Sequence, residues 1–251
     1  MKTKLRVGFR TDIGKARVVN EDALLVLPAD RLFAVADGVG GSNSGEIASR
    51  RAVNGIEDFL RENSMEQAAG MEGEQRQDWF RGYFVRCFQK INHDIRSAAE
   101  IELDHSGMAT TAVAAYFDGS ALYITNIGDS RAYLIRAGGM TQLTEDHSYV
   151  ADLISAGTLT KSEAREHPRK NMITRALGAG VDAEPDFYRF DVKPGDRVLL
   201  CTDGLHGELT DDEICAEIDR DSDLNRICKS LVQAANEKGG HDNITVVCAA
   251  V

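Results

Sequence analysis

Two stretches of the chain share one design, an apolar run that stops at an aspartate and a glycine. They are Leu32-Phe33-Ala34-Val35-Ala36-Asp37-Gly38 and Val198-Leu199-Leu200-Cys201-Thr202-Asp203-Gly204. A continuous apolar run of this length, closed by turn residues, reads as a strand buried on both faces. A carboxylate at the end of such a strand is costly to desolvate unless something positive meets it. The glycine lets the backbone come close to that partner, and it frees the Gly38 carbonyl to act as an oxygen ligand. A single Asp-Gly is an ordinary turn dipeptide; the rest of the chain gives this one its weight.

The elements around these runs alternate in type. Residues 5–10 alternate apolar and polar as a half-buried strand does, and Ala23–Leu27 reads as a second buried strand. A polar connection, Gly14 to Asp22, leads into it and carries Arg17, Glu21 and Asp22. A helix with a possible cap at Ser42 to Ser44 follows, with Ile47, Ala48, Ala52, Val53, Ile56, Phe59 and Leu60 on the 3.6 period. Residues 63–74 read as a loop, and Phe80, Phe84, Cys87, Ile91, Ile95 and Ala98 mark a second long helix whose aromatic stripe is core packing. From Ser106 the pattern turns strand-like, with runs at Thr110–Tyr116, Ala121–Ile127 and Arg131–Ile135. Residues 144–180 hold two short helical patterns, the second opened by a Thr160/Glu163 capping box. The charged run Glu163 to Lys170 reads as a solvated face. Thr210 and Glu213 cap another short helix, Leu224 to Ala235 form an amphipathic one, and Ile244–Ala249 is the last strand. Strands and helices in two blocks, without regular βαβ alternation, predict antiparallel sheets covered by helices, an α+β fold. No Pro- or Ser-rich linker interrupts the chain, so residues 1–251 read as one domain.

Composition removes several classes of function. A net charge of −11 and a pI near 5.0 argue against a nucleic-acid footprint, which requires basic surface. An anionic substrate therefore needs local positive charge, from metal ions or a placed arginine. The five cysteines, at 87, 201, 215, 228 and 248, show no C-x-x-C spacing and fit reduced thiols of a cytoplasmic protein. Met1 to Leu5 lacks an apolar leader core, and no stretch is long enough to cross a bilayer.

Four aspartates, Asp37, Asp129, Asp203 and Asp242, lie at strand ends beside glycine or asparagine, with Glu21 and Asp22 in a similar setting. If those ends converge, the carboxylates share one cleft. Two like charges about 4 Å apart repel by roughly 4 kcal/mol at an effective dielectric of 20. Such a cluster raises its own pKa values or takes up cations. Oxygen donors without Cys or His select hard ions, Mg²⁺ or Mn²⁺, over zinc. Two of these can activate a water and neutralise a phosphate, and Arg17 can offer a bidentate fork to a phosphate monoester.

The ordered motifs say more than their parts. Arg17-Val-Val-Asn-Glu21-Asp22, Val35-Ala-Asp37-Gly38, Ser106-Gly-Met-Ala-Thr-Thr111, Asn126-Ile-Gly-Asp129-Ser-Arg131, Thr144-Glu-Asp-His147, Cys201-Thr-Asp203-Gly204 and Gly240-His-Asp242-Asn243 resemble, in order, those of the metal-dependent protein phosphatase 2C family in its compact bacterial form. The resemblance spans about residues 7–249. It implies a four-layer αββα sandwich of two antiparallel sheets flanked by helices, with the site at one edge. It implies two Mn²⁺ or Mg²⁺ ions bridged by Asp37, with Asp203 and Asp242 on the first and Glu21 and the Gly38 carbonyl on the second. Asp22 then acts through a water, Arg17 clamps the phosphoryl group, and Asp129 with Asp203 resembles a weaker third-metal site.

The implied reaction is hydrolysis of phosphoserine and phosphothreonine in proteins by a metal-bridging water, opposing a bacterial Ser/Thr kinase. Residues 147–178 correspond to a flap beside the site, and a cytoplasmic monomer is expected. Two alternatives use the same motifs: a low-turnover module that senses phosphoproteins, and a small-molecule phosphohydrolase. One departure is Val39, where many family members carry a histidine that can protonate the leaving oxygen; that route is closed here, which leaves a metal-bound water as the proton source. His241 adjoins Asp242 but faces the other way if the segment is extended. His147 and His206 are expected to make structural polar contacts.

Overall fold

Strand alternation sorts the side chains into layers. The computed structural model describes residues 5–40, 44–101, 105 and 107–251, so Met1 to Lys4, Gly41, the Ser42 end of the expected cap and the Ser106 start of the expected strand lie outside the described residues. The chain runs β1 (Arg6–Asp12), β2 (Asp22–Leu27), β3 (Leu32–Val39), α1 (Ser44–Glu62), α2 (Gly73–Ile101), β4 (Ala109–Thr110), β5 (Ala112–Asp118), β6 (Ala121–Ile127), β7 (Arg131–Arg136), β8 (Gly139–Gln142), α3 (Tyr149–Ser155), α4 (Lys161–Glu166), β9 (Asp186–Asp191), β10 (Arg197–Cys201), α5 (Asp203–His206), α6 (Asp211–Asp219), α7 (Leu224–Lys238) and β11 (Ile244–Ala250). One sheet has the order β1-β11-β10-β7-β8 and the other β2-β3-β5-β6-β9, with β4 added beside β3. The named pairs are antiparallel.

Along β3, Leu32, Ala34 and Ala36 face the helices α1 and α2, while Phe33 and Val35 face the other sheet. Along β10, Leu199 and Cys201 face the α5–α7 layer, while Val198 and Leu200 face inward. A period of two that buries both faces is what a central strand of a covered sandwich requires, and it explains why these runs contain no polar residue. The result is four layers, helices outside each sheet and an apolar seam between the sheets. Phe33 and Phe117 meet edge to face in that seam, centroids 5.9 Å apart; each ring buried there stabilises the fold by roughly 2–3 kcal/mol.

Several expectations need correction. Residues 63–74 are not only loop: Met65–Ala68 form a 3₁₀ turn capped by Ser64, which buries Ala68. β2 is an edge strand in which only Asp22 and Leu25 are fully buried. β10 stops at Cys201, so Asp203 opens the short helix α5 instead of ending a strand. The run Glu163 to Lys170 is not wholly solvated, because Arg165 reaches the carbonyls of His206, Gly207 and Leu209 at 3.2, 3.4 and 3.3 Å. β8 and β9 have no counterpart in the sequence reading. Both capping boxes, at Thr160/Glu163 and Thr210/Glu213, are present.

Candidate active site

Register brings the acidic residues to one end of the sandwich. In the first sheet Cys201 pairs with both Val246 and Arg131, and Asp12 pairs with Ile244. Asp203, Asp242 and Asp129 each lie two residues beyond one of these paired ends, so all three leave the sheet at the same edge. In the second sheet Asp22 pairs with Asp37, and Ile127 with Ala112. Asp129 sits in the crossover from β6 to β7, where the chain passes from one sheet to the other. Continuing the alternation of Phe33 and Val35 puts Asp37 on the side of its strand that faces between the sheets.

A cavity of about 240 Å³ opens there, lined by Arg17, Glu21, Asp37, Gly38, Asp129, Asp203 and Asp242. Val39, Gly40, Thr111, Asn171, Ile173 and Asn243 complete its wall. Asp22 does not line it; this carboxylate is buried behind, where Oδ2 accepts from Thr202 Oγ1 at 2.8 Å. Burial drives the carboxyls toward their neutral forms, and neighbouring carboxylates add to it. Asp22 is pushed up to about 7, Asp203 to about 6, and Asp37 and Asp129 well above the usual range; Glu21 is raised as well.

Four carboxylates in the cavity wall, those of Glu21, Asp37, Asp203 and Asp242, also have specific protein contacts. The Arg17 Nη2 donates to Asp242 Oδ2 at 2.7 Å, and that bond raises the guanidinium pKa. Glu21 accepts from the Gly45 N–H in the first turn of α1. Gly45 has no room for a side chain: a Cβ there would sit 2.5 Å from Glu21 Oε1 and 2.7 Å from the Gly38 carbonyl oxygen. A Cβ on Gly38 would in turn overlap the Gly45 carbonyl, so this glycine pair is what lets helix, Glu21 and β3 meet. Asp203 and Asp37 are within hydrogen-bonding reach of one another, a contact that two ionised carboxylates cannot make.

The histidines stand apart from the cavity. His147 accepts the Gly128 N–H at Nδ1 (3.1 Å) and gives its Nε2 proton to Asp186 (3.1 Å). His206 Nε2 donates to the Asp129 carbonyl at 3.0 Å, and burial pushes its pKa down to about 3. His241 turns to Glu208, 2.7 Å away, while Asp242 turns to Arg17. Sequence reasoning missed Gly45, Thr202 and Asn243 as contributors. The signal available for Asn243 was a neutral polar side chain at the head of an otherwise apolar strand.

Among the described residues no three His, Cys, Asp or Glu side chains already stand close enough to ligate a single ion. The donor set nonetheless suits a hard divalent cation. It is all oxygen, and with the carboxyls ionised Oδ1 of Asp203 and Oδ1 of Asp22 are buried without a hydrogen-bond donor.

An antiparallel sandwich between helical layers, open at one edge onto carboxylates and a guanidinium, has the donor set that metal-assisted hydrolysis of a phosphate ester uses. The family model for protein phosphatase 2C matches residues 15–245, and the chain belongs to that family. It is 38% identical over 242 residues to the serine/threonine phosphatase stp of Listeria monocytogenes, covering 95% of this chain and 93% of that one. Stp1 from Staphylococcus aureus, a serine/threonine phosphatase, superposes with a TM-score of 0.89 at 30% identity, over 100% of this chain and 96% of that one. The catalytic domain of the serine/threonine protein phosphatase PstP, solved with 2 manganese ions, superposes at 0.83 with 33% identity, over 98% and 97% of the two chains.

Proposed function

We propose that the chain hydrolyses phosphoserine and phosphothreonine in proteins, using two Mg²⁺ or Mn²⁺ ions, and that it opposes a Ser/Thr protein kinase. The observation that carries this reading is the single cavity into which Arg17, Glu21, Asp37, Asp129, Asp203 and Asp242 converge from distant segments. Asp37, Asp203 and Asp242 are the residues to hold one ion, and Asp37, Glu21 and the Gly38 carbonyl the other, with Asp129 available to a weaker third. Ions held there supply an activated water at neutral pH and counter-charge for the phosphoryl oxygens.

The chain's own residues supply the rest. Arg17 is half exposed at the rim, 47% of its side chain, and can move from Asp242 to a phosphoryl oxygen pair. Asp22, behind Asp37, orients what the front carboxylates hold. Thr111 gives the only hydroxyl group among the described residues of the cavity wall, and its Oγ1 is occupied by the Asp37 N–H (3.0 Å) and Ser130 Oγ (2.7 Å). Among the described residues no cysteine lines the cavity. This favours direct attack of water over a phosphoenzyme formed on a hydroxyl or a thiol. Asn171 and Ile173 bring the proposed flap, residues 147–178, to the cavity mouth within one catalytic domain.

Purified protein should release phosphate from a phosphothreonine peptide with Mn²⁺ and stop with chelator. Hydrolysis that continues in chelator would exclude the mechanism. Faster turnover of a small phosphate ester than of phosphopeptides would favour a small-molecule substrate, and binding of phosphopeptide without turnover a sensing module.

A further inference from the structure

We infer that Asn243 is a positioning residue that sets where Arg17 and Glu21 stand relative to Asp242. Its side chain is buried and uses its whole amide. Oδ1 accepts the Glu21 N–H at 2.8 Å, and Nδ2 donates to the carbonyls of Ile13 and Val19 at 2.9 and 3.0 Å. Those three partners bracket the connection that carries Arg17. The backbone N–H of Asn243 donates to Asp242 Oδ1 at 2.8 Å, while Asp242 Oδ2 takes Arg17. On its far side the Asn243 carbonyl lies against Gly204, so close that any side chain at 204 would overlap it, which ties the same residue to the turn bearing Asp203. The Gly240 carbonyl adds a second hold on the connection, taking the N–H groups of Lys15 and Ala16 at 2.7 and 3.2 Å.

Only an amide meets this demand. One acceptor must face an N–H and two donors must face carbonyls, around a side chain that is itself buried. Aspartate keeps the acceptor and loses both donors; alanine loses everything. Metal ligands are oriented by such outer contacts, whose loss typically weakens metal binding by about 10–100-fold. What the positioning serves rests on the two-cation reading above.

The molecule supplies its own control. Asn92, on α2, makes the same three-point staple elsewhere: Oδ1 accepts from Gly178 N–H at 2.7 Å, and Nδ2 donates to Gly180 and Val181 carbonyls at 3.1 Å each. Asn243→Asp and Asn243→Ala should therefore be compared with Asn92→Asp in two measurements. In chelator, tryptic cleavage after Lys15 and Arg17 should accelerate in the Asn243 variants and stay at the wild-type rate in Asn92→Asp. In a Mn²⁺ titration followed by electron paramagnetic resonance, the Asn243 variants should bind about 10–100-fold more weakly, and Asn92→Asp like wild type. Should Asn243→Ala fail to fold, Asn243→Asp, which keeps the Glu21 contact, carries both readings. Unchanged cleavage, wild-type Mn²⁺ affinity, or equal losses in Asn92→Asp would each overturn the inference. Wild-type protein that takes up no Mn²⁺ while the cleavage contrast holds would instead overturn the two-cation reading and leave the staple standing.

Discussion

The floor of the cavity and the wall contributed by residues 147–178 are built differently. The floor hangs from paired strands: Asp37 and Asp22 face each other in register, and Asp129, Asp203 and Asp242 flank strands whose pairing fixes them. Apolar layers on both sides hold those strands. The wall has almost no core of its own. α3 buries no residue and α4 buries only Ala164. Polar tethers hold it instead: His147 to Gly128, Arg165 to the carbonyls after α5, Asn92 to the turn at 178–181, and bridges Thr110–Leu177 and Ser148–Ile173. Charge that must converge within ångströms sits on strands clamped between apolar layers, and the segment at the cavity mouth sits where local opening is cheap. The chemistry should therefore fail with the floor, and peptide recognition with the wall.

Asp37→Asn tests the floor most severely. Losing the shared carboxylate should lower kcat on the order of 10³-fold or more, about 4 kcal/mol of barrier, with Mn²⁺ binding lost in a calorimetric titration. Stability should move the other way. A carboxyl whose folded pKa is raised favours the protonated native state. Its contribution to stability is therefore present at low pH and declines as pH climbs from about 4 through the folded value. With Asp203 pushed up to about 6 and Asp22 to about 7, the metal-free wild type should lose stability across that window. Asp37→Asn lacks one such group and should lose less. Melting in chelator at pH 5 and pH 8 measures this, and equal losses in the two proteins would count against the shared burden.

Arg17→Lys is the next step down. Lysine keeps the charge and the pairing with Asp242 but cannot offer a planar fork. Loss of one charge-assisted contact in the transition state corresponds to about 1.5–3 kcal/mol, so kcat/KM for phosphopeptides should fall roughly tenfold to a hundredfold. Mn²⁺ affinity should hold, since no ligand is removed; if it falls instead, Arg17 belongs to the floor's scaffold.

The same division explains what could be read from the sequence. β3 and β10 were legible because burial on both faces leaves an uninterrupted apolar run, and the turn glycines mark where each run stops. β9 was not legible: Phe187, Tyr188 and Phe190 are all partly buried at an edge, so no clean alternation survives in Asp-Phe-Tyr-Arg-Phe-Asp. β8 spans four residues with one apolar side chain, Met140, packed on the α5–α7 layer. Acidic residues betray themselves as costly at strand ends, so Asp37, Asp129, Asp203 and Asp242 could be named. Convergence could not be derived, because register depends on pairing partners far apart in the chain. Gly45 acts through close approach to Glu21 and Gly38, and Asn243 through side-chain bonds to a connection more than 200 positions away; local sequence marks a polar residue at 243 but does not say what it bonds.

On the wall, Arg165→Met removes three carbonyl contacts and keeps the aliphatic length. Each such contact to a charged donor is worth about 1–3 kcal/mol to the tether, but the chemistry is untouched. KM for phosphopeptides should therefore rise several-fold, with kcat within about twofold and Mn²⁺ affinity unchanged. A loss of kcat as large as that of Arg17→Lys would erase the distinction between floor and wall.

His147 provides the mildest test. Its ring is neutral, because Nδ1 accepts the Gly128 N–H while the Nε2 proton faces Asp186. Burial lowers its pKa below 6.5, and this outweighs the upward pull of Asp186. A folded-state histidine pKa below the unfolded one means that the unfolded segment takes a proton first. The tether is therefore fully effective above pH 6.5 and weakens as pH falls through that value toward the lowered one. Acid protonates Nδ1 and leaves the Gly128 N–H without its acceptor, so the opening should be local. Amide exchange, corrected for intrinsic rate, should quicken by no more than about eightfold within residues 147–178 between pH 7 and 5.5. Strands β3, β5 and β11 should show no such change, and His147→Gln should flatten the response, because an amide acceptor does not titrate there. Exchange that quickens equally in wall and floor would mean that the two open together, and that the polar tethers do not set the boundary between them.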